Sequence, residues 1–467
     1  MIAVWAIVLC VILPVGLVAN TGQASSDAYV LQWVVLIHTG LALAYILGSG
    51  QPRPLHLGFW SFSYGWLGLA PIVQLSHDTY PLTVIFSQTI AFRASAITEV
   101  GLLAYTVTWV LSSRESLRPS RYRYLDGRAI VWRRVVVIAV IATVATIYTV
   151  PHLGGLHAVF TSRQATNEVP SAGVSKAKQS VSAWGASVPA FWALLALLFV
   201  SRTNGRRAIR TIGGAFLLAV LVVVNVVINN PISQPRFWAG TVLLGIVFAT
   251  TRARVNWRLV SATFVILLIV AFPYVDYFRY THAGPITVTS MSSQLAANDD
   301  YDAYQQEETA VFYQGKTGYH PNYALGSLFF FVPRSIWASK PDDTGTILAT
   351  YNGDSLTNRS APLWIETYLW AGFPAVAIAF AAIGWFHTRT DRIFARGFTS
   401  GDRLGRILIP AVAFFQIIVL RGSLLQSMGP LTLLVVLPFL LSRRVPAPAR
   451  LTTRRIPAQP APSSLKG

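Results

Sequence analysis

The amino-acid sequence predicts an all-α, polytopic membrane protein with about twelve transmembrane helices and one large extracytoplasmic loop. Three observations predict it. Hydrophobic residues fill 53% of the 467 positions and charged residues only 12%, about half the charged share of a soluble domain. Apolar stretches long enough to cross a bilayer recur from one end of the chain to the other. Basic residues gather in short clusters between those stretches, where a membrane protein keeps its cytoplasmic anchors.

At roughly 20 residues per crossing, spans fall near 2–20, 29–48, 58–76, 90–112, 134–151 and 183–200. Six more fall near 211–229, 236–250, 259–274, 362–386, 407–421 and 429–442. The first lacks a basic leader and a small-residue cleavage site, so it is expected to be a retained helix. Alternate connections hold most of the 37 basic residues, among them Arg114, Arg134, Arg207, Arg254, Arg396 and Arg444. Both termini are therefore expected in the cytoplasm. Residues 1–442 read as one transmembrane domain, and the basic, Pro-rich stretch 443–467 as a disordered cytoplasmic tail. Arg outnumbers Lys, and Ala and Val abound, which points to a GC-rich bacterial genome; the expected location is the inner membrane of such a bacterium.

The formal charge of +19 does not imply nucleic acid, because topology already accounts for the clusters. The single cysteine, Cys10, sits in an apolar run and supports neither a disulfide framework nor a thiolate metal site. No P-loop, dinucleotide fingerprint, zinc helix or nucleophile elbow is present. No cofactor and no metal are expected.

Two connections on the expected outer side are too long for turns, 152–182 and 275–361, and long loops usually carry function. The larger holds half of the 18 acidic residues and is the only polar territory large enough for a site. Within it Asp299, Asp300 and Asp302 could ligate a hard cation but, with no loop of EF-hand spacing after them, read as a solvated acidic turn, and Tyr301–Glu308 reads as a short amphipathic helix or solvated face. Glu99, deep in an apolar span, reads as a cavity residue or as the ion-pair partner of Arg93.

Arg236, Arg279, Arg334, Lys340 and Arg421 all fall at or beyond the outer boundary, on the side that the positive-inside rule leaves poor in cations. A shared anionic ligand explains that placement. Guanidinium groups bind phosphate oxygens bidentately, and a lipid pyrophosphate has the right charge and depth.

The segment Phe331-Val332-Pro333-Arg334-Ser335-Ile336-Trp337-Ala338-Ser339-Lys340-Pro341 resembles the Pro-Arg-x-x-Trp-x-x-Lys-Pro signature of bacterial oligosaccharide repeat-unit polymerases, the Wzy or O-antigen polymerase family. Asn230-Pro231 through Arg236-Phe237-Trp238, Phe272 through Arg279, and Arg421-Gly422 resemble further pieces of that family in the same order. Arg334 is followed after ten residues by Gly345, as in the family's Arg-x10-Gly pattern. Arg163, in the smaller loop, has Val174 at the corresponding place and departs from it.

The resemblance implies transfer of a growing glycan from one polyprenyl pyrophosphate to the acceptor hydroxyl of a new lipid-linked repeat unit. It implies pyrophosphate contacts from Arg236, Arg279, Arg334 and Arg421, with Lys340 as a second-tier cation. Arg334 is the catalytic cation, and His320 is the first candidate for general base, with Glu366 its rival. Implied partners are the lipid-linked oligosaccharide, the bilayer, and a chain-length regulator and flippase. A glycan ligase shares these features and differs in acceptor. A lipid-linked oligosaccharide flippase or secondary transporter is the alternative of a different class, and it predicts internal repeats, of which the sequence shows none that convinces, and discontinuous helices with charges near the midplane.

Overall fold

The computed structural model of the chain describes residues 1–19, 26–82, 84–114, 128–161, 176–203, 207–232, 234–250, 256–274, 289–354, 359–398 and 404–444. Helices stand at every apolar stretch. The first group is α1 (Ile2–Val18), α2 (Asp27–Ser49), α3 (54–77), α4 (Gln88–Arg114), α5 (Trp132–His152) and α6 (Lys176–Thr203). It continues through α7 (Ile212–Ile228), α8 (Arg236–Thr250) and α9 (Trp257–Tyr274). Among the described residues, seven helices are long and apolar enough to cross a membrane.

Residues 289–354 fold into four short helices: α10 (Met291–Ala297), α11 (Ala303–Thr317), α12 (Asn322–Leu328) and α13 (Thr344–Asn352). Three long helices close the chain, α14 (Leu363–Phe398), α15 (Gly405–Arg421) and α16 (Leu424–Leu441). The end of the bundle that carries α10–α13 is called the loop end below.

The surface chemistry is inverted relative to a soluble bundle. Val30, Val34, Ile37 and Leu41 make one outward stripe on α2 at 42–63% exposure, a helical spacing that faces lipid rather than water. The opposite face buries Gln32, Val35, Leu36, Thr39 and Leu43. Helix ends are set by local chemistry. Ser26, Thr211 and Asn256 accept hydrogen bonds from the first-turn amides of α2, α7 and α9, and Gly50 ends α2 at φ 65°. α14 breaks at Ala371 and Gly372, where φ reaches 73°, and resumes before Pro374.

Two apolar cores run through the bundle. One joins α1–α4 with α14, and the other joins α5–α8 with α15 and α16. α4 packs closely along α14. A Cβ on Gly384 would lie 2.8 Å from the Tyr105 carbonyl oxygen, and the Trp364 indole donates to the Thr98 carbonyl at 3.1 Å.

Three expectations are corrected. The Tyr301–Glu308 stretch is not a solvated face, because Gln305, Gln306, Glu307 and Glu308 are all buried in α11. Glu99 pairs with His38 at 2.8 Å, while Arg93 lies over the Tyr368 ring. Arg443 and Arg444, expected to begin a disordered tail, pair with Arg128 and Ala129 in a two-stranded ribbon of β1 (Arg128–Ile130) and β2 (Ser442–Arg444). The rest of the tail lies outside the described residues.

Gly384→Val should overpack the α4–α14 contact and destabilise the protein by about 1–3 kcal/mol. A thermal midpoint in detergent equal to the parent's would contradict that close approach.

Candidate functional site

The loop end is organised by an acidic turn. Asn298 accepts from the Asp300 amide at 2.9 Å and starts a 3₁₀ turn over Asp299–Tyr301. Arg236, at the start of α8, is ion-paired to Asp300 and lies 4.7 Å over the Phe272 ring. Arg421, at the end of α15, donates to the Asp300 carbonyl at 3.0 Å and the Asp299 carbonyl at 3.2 Å. It also reaches the Asp302 carboxylate at 3.3 Å. Arg359 binds Asp299 at 2.9 Å and approaches Asp354 at 3.6 Å. Asp302 accepts from the Ser360 hydroxyl at 2.6 Å, and the Trp66 indole of α3 donates to the Asp300 carbonyl at 2.7 Å.

Arg236 and Arg421 are thus brought together, as the sequence reading expects, but they meet carboxylates. Four Asp side chains answer three guanidinium groups here, so an arriving diphosphate would find little uncompensated positive charge.

That turn leads directly into α11, which enters the bundle beside α4. Gln305 exchanges hydrogen bonds with Leu82 at 2.6 and 3.1 Å, and the Tyr304 hydroxyl donates to the Ala91 carbonyl. Thr98 of α4 donates to one oxygen of Glu307 at 2.6 Å. The other Glu307 oxygen and both polar atoms of Gln306 have no hydrogen-bond partner among the described residues. Burial pushes the Glu307 carboxyl up to about 8, opposed by the Thr98 bond and reinforced by Glu308. Burial does the same to Glu308, also to about 8. Near neutral pH both are largely protonated, able to donate and to accept. Sequence reasoning missed this pair. The available signal was that four polar residues in a row cover every face of a helix, so any packing of α11 must bury some of them.

The segment Phe331–Pro341 is a second locus. Arg334 donates to the Lys340 carbonyl at 2.6 Å and the Pro341 carbonyl at 3.2 Å, and it pairs with Asp342 at 2.5 Å. Lys340 donates to the Phe330 and Val332 carbonyls at 2.6 and 3.1 Å. Desolvation, then the neighbouring Arg334 charge, lowers the Lys340 pKa. The two cations fold the segment onto itself, yet the Arg334 side chain stays 51% exposed. Near it in sequence, Leu328, Phe331 and Ile336 are exposed apolar side chains.

His320 lies at the end of α11. Its backbone N–H donates to the Leu369 carbonyl at 2.7 Å, its Nε2 lies 2.9 Å from the Thr317 hydroxyl, and its ring stacks on Tyr323. Partial burial lowers its pKa, which favours the neutral imidazole that a general base requires. Glu366 is buried and already engaged. It accepts from the Leu424 amide at 2.9 Å and the Ser423 hydroxyl at 3.2 Å, which caps α16. Arg279 falls outside the described residues.

Comparisons with protein-family models, with curated proteins and with solved structures return no match to this chain.

The raised Glu307 and Glu308 carboxyls have a defined pH consequence. Folding favours their protonated forms, so stability is full below about pH 4.5 and falls as pH rises to about 8. The slope is on the order of 1.4 kcal/mol per pH unit for each carboxyl. Glu307→Gln should flatten the fall in thermal midpoint between pH 5 and 8, and an unchanged slope would contradict the assignment.

Proposed function

We propose that this protein polymerises lipid-linked oligosaccharide repeat units at the outer face of a bacterial cytoplasmic membrane. On this reading all twelve apolar helices cross the membrane, both termini face the cytoplasm, and the loop end faces outward. The observation that carries it is the folded segment Phe331–Pro341. Its half-exposed guanidinium and its lysine sit among exposed apolar side chains, a chemistry suited to the depth at which a lipid's phosphates meet water.

The reaction balances within the substrates. The acceptor hydroxyl oxygen bonds to the anomeric carbon of the growing glycan, and the carbon–oxygen bond to pyrophosphate breaks. Polyprenyl pyrophosphate leaves with the bonding electrons, and the hydroxyl proton passes to a base. Arg334 stabilises charge on the departing pyrophosphate, with Lys340 holding the segment and adding positive field. Arg236 and Arg421 act as positioning residues through the acidic turn. Neutral His320 takes the proton, since Glu366 is committed to the start of α16.

A second reading, a lipid-linked oligosaccharide flippase or transporter, is favoured by the break in α14 at Ala371 and Gly372.

Deleting the gene should leave surface glycan capped at a single repeat unit. Complementation with Arg334→Ala should lower polymer synthesis about 10²–10³-fold, Lys340→Ala should also fail, and Arg396→Ala should restore it. Loss of all outward-facing units on deletion would favour the flippase. Equal polymer from all three variants would remove the role given to Arg334.

A further inference from the structure

Helix α4 does more than pack. Along its length it meets a succession of buried and half-buried ionisable side chains contributed by four other helices. At the loop end, Gln88 and Ala91 border a small crevice with Tyr80 and Glu308. About two turns further in than Ala91, Thr98 bonds Glu307. The next residue, Glu99, pairs with His38 Nδ1 at 2.8 Å, and the other ring nitrogen of His38 lies 2.9 Å from the Thr106 hydroxyl.

Beyond that point the neighbours change but the pattern continues. The Tyr105 hydroxyl lies 3.0 Å from His387 Nδ1. His387 stands beside His56, with ring centroids 6.2 Å apart. His56 Nδ1 pairs with Asp391 at 2.7 Å, and its Nε2 lies 3.4 Å from the Thr388 hydroxyl. His56 and Asp391 then border a cavity of about 240 Å³ at the opposite end, which α4 lines with Trp109 and Ser113. Arg53 and Arg392 also line it.

Gln88 and Ser113 are separated by about 38 Å along the axis, more than the roughly 30 Å of a bilayer's hydrocarbon. Both crevices therefore open at opposite ends of one helix, and the acids and imidazoles lie between them. Ionisable groups inside membrane bundles are costly and mark ion or proton routes by default. Apolar side chains of similar volume would hold these helices together at least as well.

We infer that α4 supports a proton relay running from the Glu308 crevice to the His56–Asp391 cavity. The two imidazoles His38 and His56 each have a polar partner at both ring nitrogens. Glu99 has one oxygen on His38 and a second with no hydrogen-bond partner among the described residues. His38 bridges a carboxylate and a hydroxyl with its two ring nitrogens, so a proton accepted on one side leaves from the other. The His387 and His56 rings are separated by a distance that one ring rotation or one bridging water closes. No bond to carbon changes, and the column resets when the rings turn back. The driving force is the proton gradient across the membrane, and the relay stands independently of the glycan chemistry proposed above.

The test uses the full chain reconstituted in liposomes of neutral and anionic phospholipid, with a pH-reporting dye inside. A valinomycin-imposed potassium diffusion potential drives the flux. The parent protein should acidify the lumen at least tenfold faster than protein-free liposomes. Glu99→Gln and Thr106→Val should each cut that rate at least fivefold, and Arg443→Gln, at the ribbon, should not. Thr106→Val removes a hydroxyl without changing shape, so it keeps the test decisive if Glu99→Gln elutes as aggregate. A parent rate equal to the protein-free background overturns the inference, as does an unchanged rate in a folded Thr106→Val.

Discussion

Asp300 and Asp302 are buried carboxylates at the end of an apolar bundle, and arginines from two different helices meet them there. Breaking such a pair by removing one partner costs about 3–5 kcal/mol, because the other charge is left without compensation. The acidic turn is therefore pinned to the starts and ends of α8 and α15. Everything that follows it in the chain inherits that position. α11 is driven in beside α4, and Ser360, which precedes α14, is tied to Asp302. What composition presents as a polar loop is built as part of the helical body.

This arrangement separates two uses of arginine at the loop end. Arg236, Arg359 and Arg421 neutralise carboxylates of the same chain and hold geometry. Arg334 binds carbonyls of its own segment and one exposed carboxylate, which leaves its charge in reach of an external anion. The difference lies in partners and burial rather than in residue type, so it is invisible in a count of basic residues. It is also why the proposed pyrophosphate contact narrows to Arg334 and its neighbour Lys340.

The helices were legible in the sequence because an apolar stretch of about 20 residues has few other fates, and each expected stretch does hold a helix. The association of Arg236 with Arg421 was legible too, from two cations placed where topology leaves few. Their ligands were not. The acidic run 299–308 carries no periodicity that distinguishes a solvated turn from a buried one, and only tertiary contact with α3, α4, α8 and α15 decides it. Glu99 illustrates the same limit. Arg93, six residues before it, lies about 600° around the helix, roughly half a turn from the i+4 position, while His38 is 61 residues away and comes within reach only once α2 packs on α4. The polar column along α4 was likewise unreadable, since its members come from α2, α3, α11 and α14, and those that lie together in sequence, such as Glu307 with Glu308 or His387 with Asp391, meet the other groups only through the packing of different helices.

Hydrogen–deuterium exchange of the full chain in detergent, read by mass spectrometry, addresses the central claim most directly. Amides of Ala303–Thr317 should exchange as slowly as those of Gln88–Arg114, because the acidic turn holds that helix inside the bundle. Exchange in α11 at the rate of an open loop, while α4 stays protected, would contradict the account.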